Sequence, residues 1–393
     1  MSKREVALIL NVNKPYDRKV VAGIARFTRT QRNWRLYVED EPLAKIPNLK
    51  RWRGQGIIAD LDDQQVLDAV RGLKIPVVNI GGAIFDESWT HDTPYVTTDN
   101  EAVARMAAEY FFDQGFTSFA FCGVRQTPFN PWSRMREQAF RDAVAERGFE
   151  CSTYFGRHTN ARQWESVQKG ICTWLSTLET PVGVFACNDA RARHVQEGCR
   201  RLRLRIPTDV AILGVDNDEL MCDLAYPSLS SIALGTDTIG FEAARLLNDM
   251  ISERRIAKSR RFQQVPPINV VPRESTNTIA ITDSAVARAV EFIRTNIGRS
   301  VRVADVTREI DLSRSTLDNR FRQILGRTVH DEIERCRLER TKELLSATDQ
   351  TLAKIASQTG FGTVQYLATV FRQSTGQTPG EYRKHNAKTQ KLA

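Results

Sequence analysis

Short apolar runs alternate with amphipathic stretches over about the first 275 residues, and this pattern predicts alternating strands and helices. The predicted strands are all short and rich in Val, Ile, Phe and Ala, and they cover 6–10, 56–59, 76–80, 95–97, 118–122, 183–186 and 211–214. Helices are predicted at 18–29, 100–114 and 133–146. This alternation predicts an α/β fold in which helices cover both faces of parallel sheets, with ligands at the carboxyl ends of the strands.

The pattern changes near residue 275. A proline-rich, strand-like block at 265–273 is followed by a polar segment, and from Asp283 onward only helical periodicity remains. We therefore predict an α/β domain at 1–274, a linker at 275–282 and an all-α domain at 283–393.

Two helix–turn–helix units are predicted in the all-α domain, the first with helices at 303–310 and 314–325. A linking helix at about 331–346 leads to the second unit, which has helices from Leu352 and from about Thr363 to Ser374. The two units share a Leu-x3-Phe-Arg string, and their phenylalanines, Phe321 and Phe371, lie 50 residues apart. Two such units on a rigid helix could reach successive major-groove segments about 34 Å apart.

The residues expected to face DNA lie at the starts of the second helix of each unit, where base edges are reached. In the first unit they are Arg314, Ser315 and Asn319, with Asp318 also expected to point outward, and in the second they are Thr363, Val364 and Gln365. Gln can bond adenine N6 and N7 together, and Arg372, two turns later, is placed for a phosphate. The alternative for Gln365 is a surface residue without a role in binding.

Charge is unevenly distributed. The chain carries a net charge of +9, and residues 280–393 hold 19 Lys or Arg against 13 Asp or Glu, which leaves +6 in the last third. A basic C-terminal segment favours a nucleic-acid partner, although a solvated surface is the alternative.

The common enzyme signatures are absent from the sequence: there is no H-E-x-x-H, no G-x-S-x-G, no Walker A string and no G-x-G-x-x-G after a strand. The seven cysteines include no C-x-x-C pair, so we expect reduced thiols, no metal and no cofactor. No apolar run approaches the ~20 residues of a membrane helix, and no export signal is visible, so we expect a cytoplasmic protein.

The C-terminal segment resembles the AraC-type transcription factors over about residues 283–385. The strings that carry the resemblance are Ile355-Ala356, Gly360-Phe361, Tyr366-Leu367, Phe371-Arg372, Gly376-Gln377-Thr378-Pro379 and Glu381-Tyr382-Arg383. In physical terms Gly360 permits a sharp turn, Phe361 and Phe371 fill a small core, and Arg372 and Arg383 are placed for phosphates.

The N-terminal 275 residues resemble the sensor domain of LacI-type repressors and periplasmic sugar-binding proteins. The resemblance rests on Val96-Thr97-Thr98-Asp99-Asn100, Arg136-x3-Phe140, Phe185-Ala186-Cys187-Asn188-Asp189 and Ile206 to Asp216. It implies two α/β lobes joined by three crossovers, with sugar bound in the cleft. Carboxylates, an Arg fork and an aromatic face are the groups that sugar recognition needs. The candidates are Tyr16, Asp60, Trp132, Arg136, Asp189 and Asp216.

Several of these residues have simpler explanations. Asp99 and Asp189 could be helix caps, Asp216 could close a turn, and Trp132 could lie in a core. Of the three acids that follow the 56–59 strand, Asp60 is the best ligand candidate, and a solvated turn is expected for the other two.

The two halves together resemble the regulators of xylose operons over the whole chain. The supporting strings are Asn13-Lys14-x-Tyr16-Asp17-Arg18, Gly56-x-Ile58-Ala59-Asp60, Asp189 to His194 and Gly214-x-Asp216-Asn217. This resemblance implies a dimeric activator that responds to D-xylose and acts with RNA polymerase at promoter half-sites. The alternatives are a response to another pentose or sugar derivative, a phospho-switched response regulator, and an enzyme on a doubly wound sheet.

Overall fold

The structure, a computed structural model, describes residues 3–31, 33–38, 49–82, 93–156, 164–252, 256–277 and 283–383. The chain forms two compact units, which comprise residues 1–110 with 117–278 and residues 111–116 with 279–393. The first unit contains two lobes, and each lobe has its own sheet. The predicted class, a two-lobed α/β domain followed by a helical domain, is confirmed.

The strands of the first lobe are β1 (Arg4–Ile9), β2 (Trp34–Val38), β3 (Gly56–Ala59), β4 (Val77–Asn79), β5 (Tyr95–Thr98) and β11 (Phe262–Val265). They pair in parallel in the order β2-β1-β3-β4-β5-β11. The helices of this lobe are α1 (Pro15–Gln31), α2 (Gln64–Val70) and α8 (Thr236–Ile251), and the short α9 (Lys258–Arg261) precedes β11. Val20 and Ile24 of α1 and Leu247 of α8 are buried in one apolar cluster with β1 and β3.

The strands of the second lobe are β6 (Phe119–Val124), β7 (Cys151–Gly156), β8 (Val182–Ala186), β9 (Val210–Val215), β10 (Ser230–Leu234) and β12 (Pro267–Val271). They follow the order β7-β6-β8-β9-β10-β12, and only β12 is antiparallel to its neighbour. The helices around them are α3 (Asn100–Asp113), α4 (Pro131–Glu146), α5 (Trp164–Leu175), α6 (Asp189–Leu202) and α7 (Glu219–Leu224).

The chain passes between the lobes after β5, after β10 and after β11, and these crossovers touch one another. The Asp99 N–H donates to the Val265 carbonyl at 2.9 Å. A Cβ on Gly235 would lie 2.7 Å from Val265 Cγ1 and 3.0 Å from the Pro266 carbonyl oxygen, so a side chain at this crossover would have to displace its neighbours.

The predicted strands are present, with ends that differ by one or two residues. The sequence pattern missed β2, β7 and β10, because the first two have partly exposed faces and β10 begins with Ser230 and Ser231. The strand-like block at 265–273 contributes to β11 and β12, which separate at Pro266 and join different sheets. Helix α1 begins at Pro15, because proline is well tolerated in a first turn.

The second unit is helical, with α10 (Ser284–Asn296), α11 (Val303–Ile310), α12 (Arg314–Leu325), α13 (Val329–Ala347), α14 (Leu352–Gln358) and α15 (Val364–Thr375). It holds two apolar clusters, one around Phe321 and one around Phe361 and Phe371. The helices predicted from the sequence are confirmed, and α13 begins two residues earlier than expected because Thr328 caps it.

The fifty-residue repeat extends beyond the phenylalanines. Ser313 and Thr363 are the N-caps of α12 and α15, and Gly326 and Gly376 end these helices in the left-handed region. Two residues after each glycine comes a Thr whose hydroxyl and N–H donate to an acid three residues further on: Asp331 in the first unit and Glu381 in the second. The two units therefore share one set of helix-ending and helix-starting devices.

The predicted linker overlaps the first unit. Ser275 and Thr276 are buried in a 3-10 helix (Glu274–Thr276), and the Ser275 hydroxyl donates to the Ile212 carbonyl at 2.6 Å. These two residues belong to the sensor and were wrongly placed in the linker. Residues 278–282 lie outside the described residues, so the linker's other limit stays a prediction.

Candidate functional site

Polar side chains that follow the strands of both lobes meet across one cleft. Lys19 of α1 reaches the turn after β9, where its Nζ lies 3.0 Å and 2.7 Å from the carbonyl oxygens of Asp216 and Asn217. On the opposite side a Cβ on Gly82 would lie 3.2 Å from Cβ of Trp132. The carboxyl ends of the two sheets therefore face each other, as expected for a ligand site on such sheets.

The wall from the first lobe contains Tyr16 and Asp60. The Tyr16 hydroxyl donates to the Ile80 carbonyl at 3.2 Å and accepts from the Thr98 hydroxyl at 3.4 Å. Asp60 is nearly buried, and one of its carboxylate oxygens lies 3.0 Å from Lys14 Nζ. Lys14 thus neutralises an acid that directly follows β3.

Asp17 is a buried acid that the candidate set did not include. One carboxylate oxygen accepts the Asn11 N–H at 2.7 Å, whereas the other is buried and has no hydrogen-bond partner in the described part of the chain. Burial and the neighbouring Asp60 charge raise the pKa of Asp17, and Lys14 only partly offsets them. Such an acceptor is suited to a ligand hydroxyl, because an unpaired buried polar group is costly.

The wall from the second lobe contains Trp132 and Arg136, which lie one turn apart at the start of α4. Arg136 is buried, its Nε donates to Asn100 Oδ1 at 2.8 Å, and its NH1 donates to the Cys187 carbonyl. The guanidinium carbon lies 5.2 Å from the centroid of the Trp132 ring, a cation–π contact. Trp132 is partly exposed, so it is not simply a core residue.

Asp189 is held by the protein itself. Its two carboxylate oxygens accept the Ser231 hydroxyl at 2.5 Å and the Asp218 N–H at 2.9 Å. The cap of α6 is Asn188, whose side chain accepts the Arg191 N–H, so the cap explanation for Asp189 is wrong. Asp189 instead ties α6 to β10 and to the turn after β9, which makes it a support for the neighbouring Asp216.

Asp216 lies at the end of β9 in a backbone conformation that side chains rarely adopt, with φ of 105°, and Asn217 follows with φ of 45°. The Asp216 carboxylate has no hydrogen-bond partner among the described residues. Burial raises its pKa, and the charges of Arg136 and Lys19 act against this. The strained turn therefore presents an acid with open acceptor positions to the cleft.

Other acids in the candidate strings have simpler roles. The Asp99 side chain accepts the Ala102 N–H at 2.9 Å and caps α3, and Asp63 accepts two N–H groups at the start of α2. The residues that sequence reasoning left out of the candidate set are Lys14, Asp17, Lys19 and Asn100. Three of them stood inside the quoted strings, but nothing in the strings showed which were buried.

The first of the two helices expected to face DNA is α12. Arg314, Ser315 and Asn319 are exposed on it, and together with Arg322 they line a shallow cavity. Asp318 was expected to point outward, but it is nearly buried and accepts the Val329 N–H at 3.0 Å. It holds the start of α13, so its carboxylate has a structural partner.

The second helix expected to face DNA is α15, on which Gln365 and Arg372 are exposed. The Thr363 hydroxyl is the helix cap and accepts the Tyr366 N–H at 3.1 Å, and Val364 is partly buried against the apolar cluster. Thr363 is nevertheless exposed, whereas Val364 is only partly exposed, and contact of either residue with a base stays a prediction. Gly360 has φ of 72°, as the predicted turn requires.

Arg383 was expected near phosphates, but it donates to the Gln350 carbonyl and so helps to close the unit. No helix among the described residues is long and apolar enough to cross a bilayer. The described ranges also contain no group of three or more His, Cys, Asp or Glu side chains placed to hold a metal ion.

Comparison with known families matches three regions of the chain. A profile described as XylR N-terminal domain matches residues 5–101, one described as periplasmic binding protein-like domain matches 108–276, and one described as helix-turn-helix domain matches 306–385. Together with the two-lobed cleft and the paired helical units, they define a sugar-responsive, DNA-binding transcriptional regulator.

Whole-length relatives narrow this class. The chain is 34% identical over 386 residues to the xylose operon regulatory protein of Escherichia coli strain K12, covering 98% of each chain. It is 32% identical over 380 residues to the protein of the same name from Haemophilus influenzae, covering 96% of this chain and 98% of that one. A solved structure of a xylose-binding transcription activator matches with a TM-score of 0.64 and 33% identity, covering 98% of this chain and 99% of the other. The chain belongs to the family of xylose operon regulatory proteins.

Proposed function

We propose that this protein is a cytoplasmic, D-xylose-dependent activator of genes for xylose catabolism. The names of its whole-length relatives support the choice of sugar. D-Xylose is uncharged and carries hydroxyls that both donate and accept, so it suits a site with acids and donors on both walls.

The observation that carries the proposal is the pairing of open acceptors with buried donors in the cleft. Among the described residues, Asp216 and Asp17 each offer an acceptor without a protein partner, and the buried Arg136 lies close enough to Asp216 for their charges to interact. We assign sugar contacts to Tyr16, Asp60, Trp132, Arg136 and Asp216, and we assign Asp189 a supporting role.

DNA is read by α12 and α15, with Arg314, Ser315, Asn319 and Gln365 on base edges and Arg372 on a phosphate. The 19 residues of α13 between them form a rigid spacer, about 28 Å long at 1.5 Å per residue. We propose that two copies bind paired promoter half-sites and act with RNA polymerase. Sugar can switch this assembly only by binding one sensor conformation better than another.

A thermal-shift panel tests the sugar assignment. D-Xylose at 100 times its dissociation constant should stabilise the sensor by ~2.7 kcal/mol, whereas D-ribose, L-arabinose and D-glucose at the same concentration should have smaller effects. A larger shift with another pentose would support a sugar-responsive regulator of the same architecture whose ligand is that pentose. Consumption of any sugar by the purified protein would contradict the assignment of a binder and support the enzyme alternative.

A further inference from the structure

Lys19 of α1 belongs to the first lobe, but its side chain binds the second lobe. Its Nζ donates to two consecutive carbonyl oxygens, at 3.0 Å to Asp216 and 2.7 Å to Asn217. The side chain is partly buried, and no carboxylate partner is assigned to it. These are direct polar contacts across the cleft, and Lys19 can make them only while the two lobes are close together.

The carbonyls that Lys19 binds belong to the strained turn. Asp216 and Asn217 are two consecutive residues other than glycine with positive φ, at 105° and 45°. On the side of the second lobe the bonds that hold Asp216 and Asn217 include Asp216 N–H to the Ile232 carbonyl, Asn217 N–H to the Ser231 hydroxyl, and Arg273 to Asn217 Oδ1. Lys19 supplies the bonds from the opposite lobe, so the turn is clamped from both sides.

The clamped turn sets the direction of the Asp216 carboxylate, which is the open acceptor of the candidate sugar site. Charged groups face it from several neighbouring elements: Arg136 of α4, Lys14 just before α1, Asp17 and Lys19 of α1, Asp189 of α6, and Asp218 of the same turn. Lys19 is thus both a hydrogen-bond donor to the turn and a positive charge beside the acid.

We propose that Lys19 is a positioning residue for sugar binding, which clamps the Asp216–Asn217 turn across the closed cleft and so aligns the Asp216 carboxylate with a sugar hydroxyl. This inference rests on the proposed function. Lys19 does not touch the sugar itself, and its contribution appears when the lobes close. Its loss therefore acts on the lifetime of the closed complex more than on the encounter.

The test is D-xylose binding by the full chain, measured by titration calorimetry and stopped-flow fluorescence between pH 5.5 and 8. The variants are Lys19→Met, which removes charge and donors, Lys19→Gln, which keeps a donor without charge, and Lys19→Arg, which keeps both. Lys169→Met is the matched control, because Lys169 is exposed on α5 of the same domain.

We expect Lys19→Met to weaken D-xylose binding at least 10-fold, mainly through faster dissociation, while the unliganded melting temperature stays unchanged. Lys19→Arg should restore most of the affinity, and Lys19→Gln should restore part of it. The positive charge of Lys19 favours the ionised form of Asp216. Both Lys19→Met and Lys19→Gln remove this charge, so in both variants the loss of affinity on acidification should begin at a higher pH.

A Lys19→Met protein with wild-type affinity, dissociation rate and pH profile would overturn the role of Lys19 and leave the sugar assignment intact. If Lys19→Met does not fold, the same three measurements on Lys19→Gln decide the question. If the wild-type protein binds D-xylose no better than Lys19→Met does, and binds none of the tested pentoses, the proposed function is overturned as well.

Discussion

Buried acids are treated in opposite ways in the two units. In the second unit Glu332 is fully buried, and its carboxylate lies 2.7 Å from Arg327 and 2.8 Å from Arg335. Burial alone would raise the pKa of Glu332, but the two arginines outweigh it and hold the pKa at about 2. In the sensor cleft, burial prevails and the pKa values of Asp17, Asp189 and Asp216 are raised.

Glu332 differs in this way from Asp17 and Asp216: it is an acid that stabilises the fold, and they are acids that we propose are kept for a ligand. Glu332 has satisfied its acceptors with fixed cations, so it contributes to a defined structure. Asp17 and Asp216 keep acceptors open, which costs stability in the empty protein and becomes favourable when hydroxyls arrive. The sensor is therefore the part of the molecule in which binding and stability are most closely linked.

The largest effect should come from removing the carboxylate of Glu332, which is buried and paired with two arginines. Glu332→Ala leaves Arg327 and Arg335 beside an empty position and should destabilise the second unit by ~3–5 kcal/mol. All six tryptophans lie at or before residue 174, so fluorescence reports the sensor and far-UV circular dichroism reports both units. Urea unfolding should show an early loss of helix without a change in fluorescence.

Glu339→Ala is the control for this experiment, because Glu339 forms an exposed pair with Lys342 on the same helix. Its cost should stay below ~1 kcal/mol. Equal destabilisation by the two variants would remove the contrast between buried and exposed acids in this helix.

The next effect concerns Asp216, the cleft acid proposed to accept hydrogen bonds from the sugar. Asp216→Asn should weaken D-xylose binding by about 10- to 100-fold, since hydrogen bonds to a charged group contribute ~1.5–3 kcal/mol. The unliganded sensor should be at least as stable as wild type, because a buried charge that Arg136 and Lys19 only partly compensate is gone. Calorimetry and thermal unfolding check both parts, with the exposed Asp142→Asn as control. If Asp216→Asn lowers stability and leaves D-xylose affinity intact, Asp216 stabilises the fold and does not bind the sugar.

Substitutions of the exposed residues proposed to contact DNA should change DNA binding without changing stability. Gln365→Ala should relax sequence preference at one or two base pairs at a cost of ~1–3 kcal/mol on the best site, and leave unfolding unchanged. Arg372→Ala is the comparison, since a phosphate contact should weaken all sequences alike and lower the salt slope by about one. Binding to a randomised library at two salt concentrations separates them, and a uniform loss with Gln365→Ala would argue against base readout.

The smallest effect is a pH dependence of opposite sign in the two units. The pKa of Asp216 is about 6 and those of Asp17 and Asp189 are about 7, above the value of about 3.9 of an unfolded chain. Their contribution to sensor stability is present at low pH and is lost as pH rises through 6 to 7. Glu332 contributes above about 4.5, and its contribution is lost only as pH falls towards 2.

Unliganded unfolding of the sensor, followed by fluorescence between pH 5 and 8, should therefore show a stability component that decreases with pH. Asp216→Asn should flatten it. A slope unchanged by that substitution would mean that Asp216 does not titrate in this window.

Sequence alone predicted the second unit almost completely, because its signals are local: Asp283 and Ser313 cap helices, and Gly326 ends one. In the sensor the alternation predicted the sheets but not β7 or β10, whose pairing is settled by distant strands. Asp60 and Arg136 were chosen as candidates from residue type, position and resemblance, and their contact with sugar stays a prediction. Other features depend on tertiary contacts that no local sequence pattern predicts. Examples are the hydrogen bond from Ser231 to Asp189, the partial burial of Val364 against the apolar cluster, and the Asp17 oxygen without a partner.

The order of strands also bears on how the chain folds during synthesis. The last strand of each sensor sheet, β11 and β12, comes from the ten residues between 262 and 271, and α8 covers the first sheet from residues 236–251. β5 of the first lobe and β10 of the second thus lack a partner strand on one side until nearly 270 residues have left the ribosome, whereas each helix–turn–helix unit closes within a few tens of residues. Nascent chains that stall before residue 262 would expose unpaired edges of both sheets, and these are the species on which chaperones should act.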